Sequence, residues 1–399
     1  MKRFLLKIGI FAVVVILAAF FHYRHYDLDG MKKKRHNYLL QPQNSSEVHI
    51  GVIWPPKKRY QGYLKGLKVA LEELQKKQHP PCFKVHFALE DDSKSAAWSF
   101  ARDQRIVAVI GGFDSDTSKH IAPLLDDAGI LFLQSSTNPF LMKRKIKLLL
   151  ENSSPDIYHA KNIKKIIKQL KLEKISFVYK NSEYYEGFRS LLAYQVKNEP
   201  DIKITSIYSY DGQFNVEKIY SAINTRDFDG IVFLGYQKEA RDFLKYLRWC
   251  KNDKPFIGGE LLDYPNFYDS IDPEALRRVY CSSYDVQFNK TPELHEFYQR
   301  YLKKYSTKPD NYALRGYYAI MLLKKAVDNS PKLLPNLLHH AILYSKFSVL
   351  GLKFKYTHDG ILKQNMTACK KWLPEEGFVQ FNPDVKSRSK LKYDYELFE

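Results

Sequence analysis

The chain has 399 residues, 45% of them hydrophobic and 15% aromatic, a composition typical of globular proteins with roughly two to three domain-sized units. Its formal net charge of +19 recurs along predicted helices and is not confined to one block. Because no zinc-finger, helix-turn-helix or aromatic RNA-binding signature accompanies this charge, we interpret it as solvated helix surface and predict no nucleic-acid partner.

The first predicted element is an apolar segment at residues 4–21, interrupted only by Lys7. Its uninterrupted part, residues 8–21, is shorter than the roughly 17–25 residues of a comfortable membrane span and suits the hydrophobic region of a signal peptide. Neither a small-x-small cleavage site nor a lipobox cysteine follows it. We therefore predict an uncleaved signal anchor over residues 1–22, that is, an N-terminal hydrophobic anchor helix, with a cleaved signal peptide as the alternative.

The next stretch, residues 23–46, is predicted to be a polar juxtamembrane tether. Its Lys-Lys-Lys-Arg run at 32–35 would rest on anionic lipid headgroups. The membrane is thus an expected partner through the N-terminal segment. Basic residues flank the apolar segment on both sides, so its sequence does not decide on which side of the membrane the folded part lies.

From residue 48 onward, short apolar runs alternate with segments that carry apolar residues at helical spacing. The first set predicts strands at 48–54, 83–89, 106–111 and 130–133, with helices at 62–78 and 117–128. The second set predicts helices at 157–170, 185–197, 216–224 and 239–250, with strands at 175–179, 202–208, 230–234, 255–258 and 279–284. Strands that alternate with helices form parallel sheets, so two such sets predict two doubly wound α/β lobes. The chain then predicts two further helices, 292–305 and 311–329, and a small antiparallel ribbon from 349–357 and 378–381.

Motifs of catalysis and metal binding are missing from the sequence. It contains no G-x-S-x-G, H-E-x-x-H, P-loop or G-x-G-x-x-G pattern, so we predict no enzyme activity, no metal and no cofactor. None of the four cysteines belongs to a C-x-x-C pair. Export would permit a disulfide, but spacing cannot choose the partners, and we expect four buried free thiols at Cys82, Cys250, Cys281 and Cys369.

One segment carries a family resemblance. Residues 110–139, IGGFDSDTSKHIAPLLDDAGILFLQSSTNP, resemble the first-lobe signature of the leucine/isoleucine/valine-type periplasmic binding proteins, the type 1 family that shares its fold with receptor ligand-binding regions. Further pieces resemble that family in the expected order. They are ISFVYKNSEYYEG at 175–187, IVFLGYQKEARDFLKYL at 231–247, FIGGE at 256–260, a helix pair at 297–326 and a terminal ribbon at 351–360.

The resemblance implies two Rossmann-like lobes joined by three crossovers, closing on a ligand about a hinge. It places the first lobe at 47–152 and 282–345 and the second at 153–281 and 346–382, followed by a C-terminal tail at 383–399. The hinge segments would lie near 150–155, 255–285 and 345–350. The resemblance also implies that the folded part lies in the periplasm, held to the inner membrane by a single N-terminal anchor, or soluble in the periplasm after cleavage.

The first candidate ligand-binding residue is Ser115, which follows a buried strand and opens a helix. Open α/β sheets bind ligands at this edge, where a helix N-terminus also offers free N–H groups to an anion. The resemblance implies that this serine contacts a ligand carboxylate. The alternative is that Ser115 or Thr117 only caps the helix. Asp114 and Asp116 depart from the family pattern, and they would oppose an anionic ligand unless they point away.

Hydroxyl groups also end the following strand. Ser135, Ser136 and Thr137 stand where the resembled family often has Gly-Ala-Thr, and their hydroxyls would bind polar atoms of a ligand. The alternative is turn chemistry before the Asn-Pro pair that follows.

The second lobe supplies the other candidates. Tyr185 resembles the tyrosine of a family turn, with Tyr236 as a neighbouring wall, and the alternative for Tyr185 is a core aromatic. Glu239 lies near where the amino-acid binders carry an acid for the ligand ammonium, although an acid at a helix start also favours the helix dipole. Tyr60, in a loop of the first lobe, is a further aromatic candidate.

Two functions fit this sequence best. The first is an extracytoplasmic solute-binding protein that captures a small polar ligand, such as an amino acid, amide or short peptide, for the permease of an ABC-type transporter. The second is an envelope interaction protein on the same fold with a filled cleft, similar to activators of peptidoglycan synthases. A sensor ectodomain is a third alternative. An open cleft lined by aromatic and hydroxyl groups would favour the first.

Overall fold

The structure is a computed structural model that describes residues 27–42, 46–55, 61–76, 81–88, 92–137 and 146–381. The predicted anchor at 4–21, the candidate Tyr60 and the tail at 383–399 lie outside these residues. Within them, no helix combines the length and the apolar character needed to cross a membrane.

A five-stranded parallel sheet forms the centre of the first lobe, in the order β2-β1-β3-β4-β5. Its strands are β1 (Glu47–Ile53), β2 (Cys82–Ala88), β3 (Ile106–Gly111), β4 (Leu131–Gln134) and β5 (Leu149–Glu151). Every residue of β3 and β4 is buried, as expected for strands covered by helices on both faces.

Six helices cover this sheet. One face carries α2 (Gln61–Lys76), α10 (Pro292–Tyr305), α11 (Asn311–Asp328) and α12 (Pro335–Tyr344), and the other carries α3 (Ser93–Arg102) and α4 (Ser115–Asp127). The helices α2 and α11 approach so closely that a Cβ atom on Gly66 would lie 1.8 Å from the carbonyl oxygen of Ala313. A larger residue than glycine at position 66 would therefore force these two helices apart.

A seven-stranded sheet forms the centre of the second lobe, in the order β14-β13-β10-β9-β8-β6-β7. The five strands from β10 to β7 are parallel, and the last two strands of the chain add an antiparallel edge. The strands are β6 (Lys174–Lys180), β7 (Lys203–Tyr210), β8 (Gly230–Leu234), β9 (Phe256–Gly258), β10 (Val279–Tyr284), β13 (Thr367–Leu373) and β14 (Gly377–Gln380). The helices are α5 (Asp156–Gln169) and α6 (Glu183–Lys197) on one face, with α7 (Val216–Asn224), α8 (Gln237–Trp249) and the short α9 (Pro265–Tyr268) on the other.

The chain passes between the two sheets three times. The first passage joins β5 to α5, and the second joins β10 to α10. The third comes later than the predicted boundary at residue 346, because the hairpin of β11 (Phe347–Val349) and β12 (Leu352–Phe354) packs into the first-lobe core. The return to the second sheet therefore lies between residues 362 and 367. Apolar side chains such as Phe347 and Phe354 decide this placement, since both are buried beside α11.

The segment predicted to be a polar tether is instead a helix, α1 (Leu28–Leu40), that packs on the first lobe. Arg35 does not reach lipid headgroups, because its side chain is 1% exposed. Its guanidinium donates to the carbonyl oxygens of Ile106 at 2.8 Å, Ala101 at 2.9 Å and Asp103 at 3.0 Å, and also to those of Phe100 and Ala128. These acceptors lie at the ends of α3 and α4 and at the start of β3. Arg35 therefore supplies hydrogen bonds to buried carbonyl groups of three elements. Burial lowers the pKa of Arg35 to about 10.

All four cysteines are free, but only Cys281 and Cys369 are buried. Cys82 is exposed and Cys250 is half-buried, so the expectation of four buried thiols is wrong for these two. Cys82 begins an edge strand, whose outer residues alternate toward solvent.

Candidate functional site

A cavity of about 380 Å³ lies between the lobes, where the carboxyl ends of strands from both sheets face each other. Parallel topology brings these ends to one edge of each sheet, which is where open α/β sheets bind ligands. Every predicted site residue in the described part of the chain except Glu239 lines it. The lining includes Trp54, Phe113, Asp114, Ser115, Asp116, Thr117, Ser135, Ser136, Thr137, Ser182, Tyr184, Tyr185, Tyr236, Gln237, Glu260, Tyr264, Tyr312 and Arg315.

The first-lobe edge of the cavity presents paired hydroxyls. Ser115 and Ser136 are buried, and their Oγ atoms lie 3.1 Å apart. The cap of α4 is Asp114, whose Oδ1 accepts from the N–H of Thr117 at 2.7 Å. The capping alternative for Ser115 therefore does not apply, and its hydroxyl points to Ser136 and the cavity. The carboxylate of Asp114 therefore occupies the N-terminus of α4, and Asp114 also lines the cavity.

Asp156 is a buried acid next to this edge of the cavity. The N–H of Asp156 donates to the carbonyl oxygen of Thr137 at 3.1 Å across the first interlobe passage. Burial raises the pKa of Asp156 to about 7, against the opposing effects of the Thr137 hydroxyl and Arg315. At the rim, burial and the neighbouring Asp114 and Glu183 raise the pKa of Asp116. The cavity thus has more acidic groups near it than the sequence predicted.

Aromatic rings form the remaining walls. In the first lobe, Trp54 lies edge-on to Phe113 at 5.4 Å and to Tyr312 at 6.2 Å between ring centroids. In the second lobe, Tyr185 lies edge-on to Tyr236 at 6.0 Å. Tyr185 lines the cavity and is also part of the second-lobe core, whereas Tyr236 is half exposed. A contact of either ring with a ligand stays a prediction.

Glu239 does not reach the cavity. Its Oε2 accepts from the Tyr210 hydroxyl at 2.6 Å and from the N–H of Tyr236 at 3.0 Å, and Lys180 Nζ lies 3.6 Å from its Oε1. Glu239 is the third residue of α8, and its side chain turns back to the first turn of that helix, as glutamates at this position commonly do. The helix-start alternative thus accounts for Glu239, and the expected acid at the cavity is a different residue.

That acid is Glu260, which follows β9 and lines the cavity together with Arg315 of α11. Its Oε2 lies 3.7 Å from Arg315 Nη2, and burial raises the pKa of Glu260 although Arg315 opposes the rise. The segment FIGGE ends at Glu260, so the same rule that selected Ser115, polar residues directly after a strand, would have selected it. Arg315 has no such signal, because it lies on a predicted helix among apolar residues.

A family model decides the relationship that the sequence suggested. Residues 65–371 match the receptor family ligand binding region. The chain belongs to this family. The resemblance to type 1 periplasmic binding proteins is thereby confirmed, and the matched residues include most of both lobes and all three passages between them. A search of functionally curated proteins finds no match for this chain.

Solved structures agree with the family. The ligand-binding region superposes on an ABC transporter substrate-binding protein from Desulfitobacterium hafniense in complex with Leu, at a TM-score of 0.71 and 21% identity over 84% of this chain and 100% of that one. A branched-chain amino acid transporter substrate-binding protein from Streptococcus pneumoniae, in complex with isoleucine, gives a TM-score of 0.69 and 18% identity over 86% of this chain and 98% of that one. A solute-binding protein from R. palustris, in complex with benzoate, gives a TM-score of 0.67 and 15% identity over 84% of this chain and 96% of that one. At these identities the likeness concerns the fold.

Proposed function

We propose that this protein is an extracytoplasmic solute-binding protein that captures a small polar ligand between its lobes and delivers it to the permease of an ABC-type transporter. The observation that carries the proposal is the cavity between the lobes, about 380 Å³ and lined by hydroxyl and aromatic side chains of both. An interaction protein that had lost its ligand would be expected to fill this space with side chains. Three of the solved relatives hold Leu, isoleucine or benzoate, which supports a small ligand of this class.

The roles follow from the charges around the cavity. The hydroxyls of Ser115 and Ser136 suit an oxygen atom of a ligand carboxylate, to which a hydroxyl can donate a hydrogen bond. Glu260 suits a ligand ammonium, because a cation beside a buried carboxylate restores its charged form. The ligand would contact both lobes, so binding favours the closed arrangement in which all of these contacts exist together.

The membrane placement belongs to the same proposal. The apolar segment at 4–21 would hold the protein to the outer face of the inner membrane, close to a permease. Helix α1 lies between that segment and β1 and is fixed to the first lobe by Arg35, which would leave little slack between the membrane and the lobes. A fragment that begins at residue 47 would lack this helix, so binding should be measured on the full chain in detergent.

Ligand binding can be tested by thermal unfolding and small-angle scattering with a panel of leucine, isoleucine, phenylalanine, benzoate, leucinamide and dialanine. We expect at least one compound to raise the unfolding temperature and to reduce the radius of gyration. Ser115→Ala should weaken that compound by about tenfold, as one lost hydrogen bond to a charged group predicts, and Ser345→Ala, at the end of α12, should not. A panel without any response would overturn the proposal and favour the interaction protein.

A further inference from the structure

We infer that Arg315 is a ligand-binding residue that selects monocarboxylates with a flat apolar body, an inference that rests on the proposed function and specifies its ligand. Arg315 lies on α11, its side chain is 4% exposed, and it lines the cavity. Its backbone carbonyl is fixed by Asn152 Nδ2 at 2.8 Å, so the helix turn that carries it is held to the first interlobe passage.

The guanidinium has donors left over. Its Cζ lies over the rings of Tyr284 and Tyr312, at 4.4 Å and 5.2 Å from the ring centroids, and these cation–π contacts hold its position without using its N–H groups. Within the described residues, neither Nε nor Nη2 has a hydrogen-bond partner, and the nearest acid, Glu260, is 3.7 Å away. A structural pair of arginine and carboxylate normally closes to about 2.7–2.9 Å. The arrangement therefore leaves room for an acceptor that the protein itself does not provide.

The chemistry of that acceptor is limited by its neighbours. Arginine offers a planar fork that matches a carboxylate with two parallel hydrogen bonds. A phosphate would bring about two negative charges toward Glu260, Asp156 and Asp116, whereas a carboxylate brings one. A monoanion is thus the better fit, and an ammonium on the same ligand would lie beside Glu260.

The shape of the rest of the ligand follows from the walls. Trp54, Phe113 and Tyr312 form one group of rings on the first lobe, with Phe113 and Tyr312 at 5.8 Å, and Tyr185 with Tyr236 faces them from the second. A flat apolar body between these rings would make offset or edge-to-face contacts. The ligand class is therefore an aromatic carboxylate, including the aromatic α-amino acids.

The test compares each acid with its amide, which keeps the shape and removes the charge. Phenylalanine, phenylalaninamide, benzoate and benzamide are titrated calorimetrically into the full chain in detergent. For the wild type we expect the acid of at least one pair to bind about 30-fold more tightly than its amide, since an unpaired buried charge costs about 2 kcal/mol or more. In Arg315→Gln this ratio should fall to near one, and Arg315→Lys should keep part of it.

Two further variants separate recognition from folding. The double variant Arg315→Gln/Glu260→Gln removes both charges of this pair, so it does not leave Glu260 as a carboxylate without its cation, and it should still lack acid–amide selectivity. Arg300→Gln, on α10 and away from the cavity, should keep the wild-type ratio. If the wild type binds a pair and the ratio persists in both Arg315 variants with glutamine, the inference is overturned and the solute-binding function stands. If the wild type binds only amides or peptides of the wider panel, the inference about Arg315 is likewise overturned and the solute-binding function stands. If nothing binds, the proposed function itself fails.

Discussion

Lys119 of the first lobe forms an ion pair with Glu183 of the second, at the rim of the cavity. Lys119 lies in the second turn of α4, and Glu183 is the first residue of α6. Both side chains are about one-third exposed, so the pair is partly screened by solvent. It joins the two lobes close to Asp116 and Ser182, which line the cavity.

This ion pair predicts a salt-dependent opening of the cleft. Glu183→Gln should increase the radius of gyration of the ligand-free protein at low salt, because the closed arrangement loses up to about 1 kcal/mol. At high salt the wild type and the variant should converge, since added ions screen the pair. Small-angle scattering of both proteins checks this. Asp227→Asn breaks an ion pair to Lys174 inside the second lobe and should leave the radius of gyration unchanged. An equal effect of both variants would contradict the interlobe role of the pair between Lys119 and Glu183.

Arg35 predicts that α1 is part of the stable fold. Arg35→Met should lower the free energy of unfolding by about 3 kcal/mol, since several buried carbonyl oxygens lose their donor. Denaturant unfolding gives the value, and limited proteolysis shows whether residues 28–40 become accessible. Lys33→Ala lies on the exposed face of the same helix and should stay within about 0.5 kcal/mol of the wild type. A similar loss in both variants would mean that Arg35 has no special role.

Asp156 predicts a dependence of stability on pH. Burial raises its pKa in the folded protein to about 7, whereas an unfolded aspartate titrates near 3.9. Between these values the folded state keeps a proton that the unfolded state releases, so this group makes the protein less stable as pH rises from about 4 to 7. Asp156→Asn removes the titration.

The stability of Asp156→Asn relative to the wild type should therefore increase over that range and level off above it. Unfolding by denaturant at several pH values checks this. Asp127→Asn, an exposed residue of α4, serves as the control and should show no such trend. An advantage of Asp156→Asn that shrank with rising pH would contradict the sign of the shift.

The sequence by itself determined the family, the two α/β lobes and most of one wall of the cavity. Alternation of strands and helices requires parallel sheets, and parallel sheets bring their carboxyl ends to a common edge. Ser115, Ser136 and Thr137 follow first-lobe strands, while Tyr185 and Tyr236 follow second-lobe strands, so position along the chain was sufficient to bring them to one cavity. Whether each contacts a ligand remains a prediction.

Only the tertiary structure decided which charged groups face that cavity. Glu239 and Glu260 both follow strands of the second sheet, but Glu239 is bound by Tyr210 and its own helix start, and Glu260 is left to Arg315. Arg315 and Arg35 both lie on helices whose sequence pattern gives no sign of their role. The role of a charged side chain depends on whether its surroundings exclude water and offer it partners. Those surroundings come mostly from segments that are distant in sequence. For Arg35 they are carbonyl groups more than 60 residues away, and for Arg315 they are Tyr284 and Glu260 of the second lobe, together with Tyr312 of its own helix.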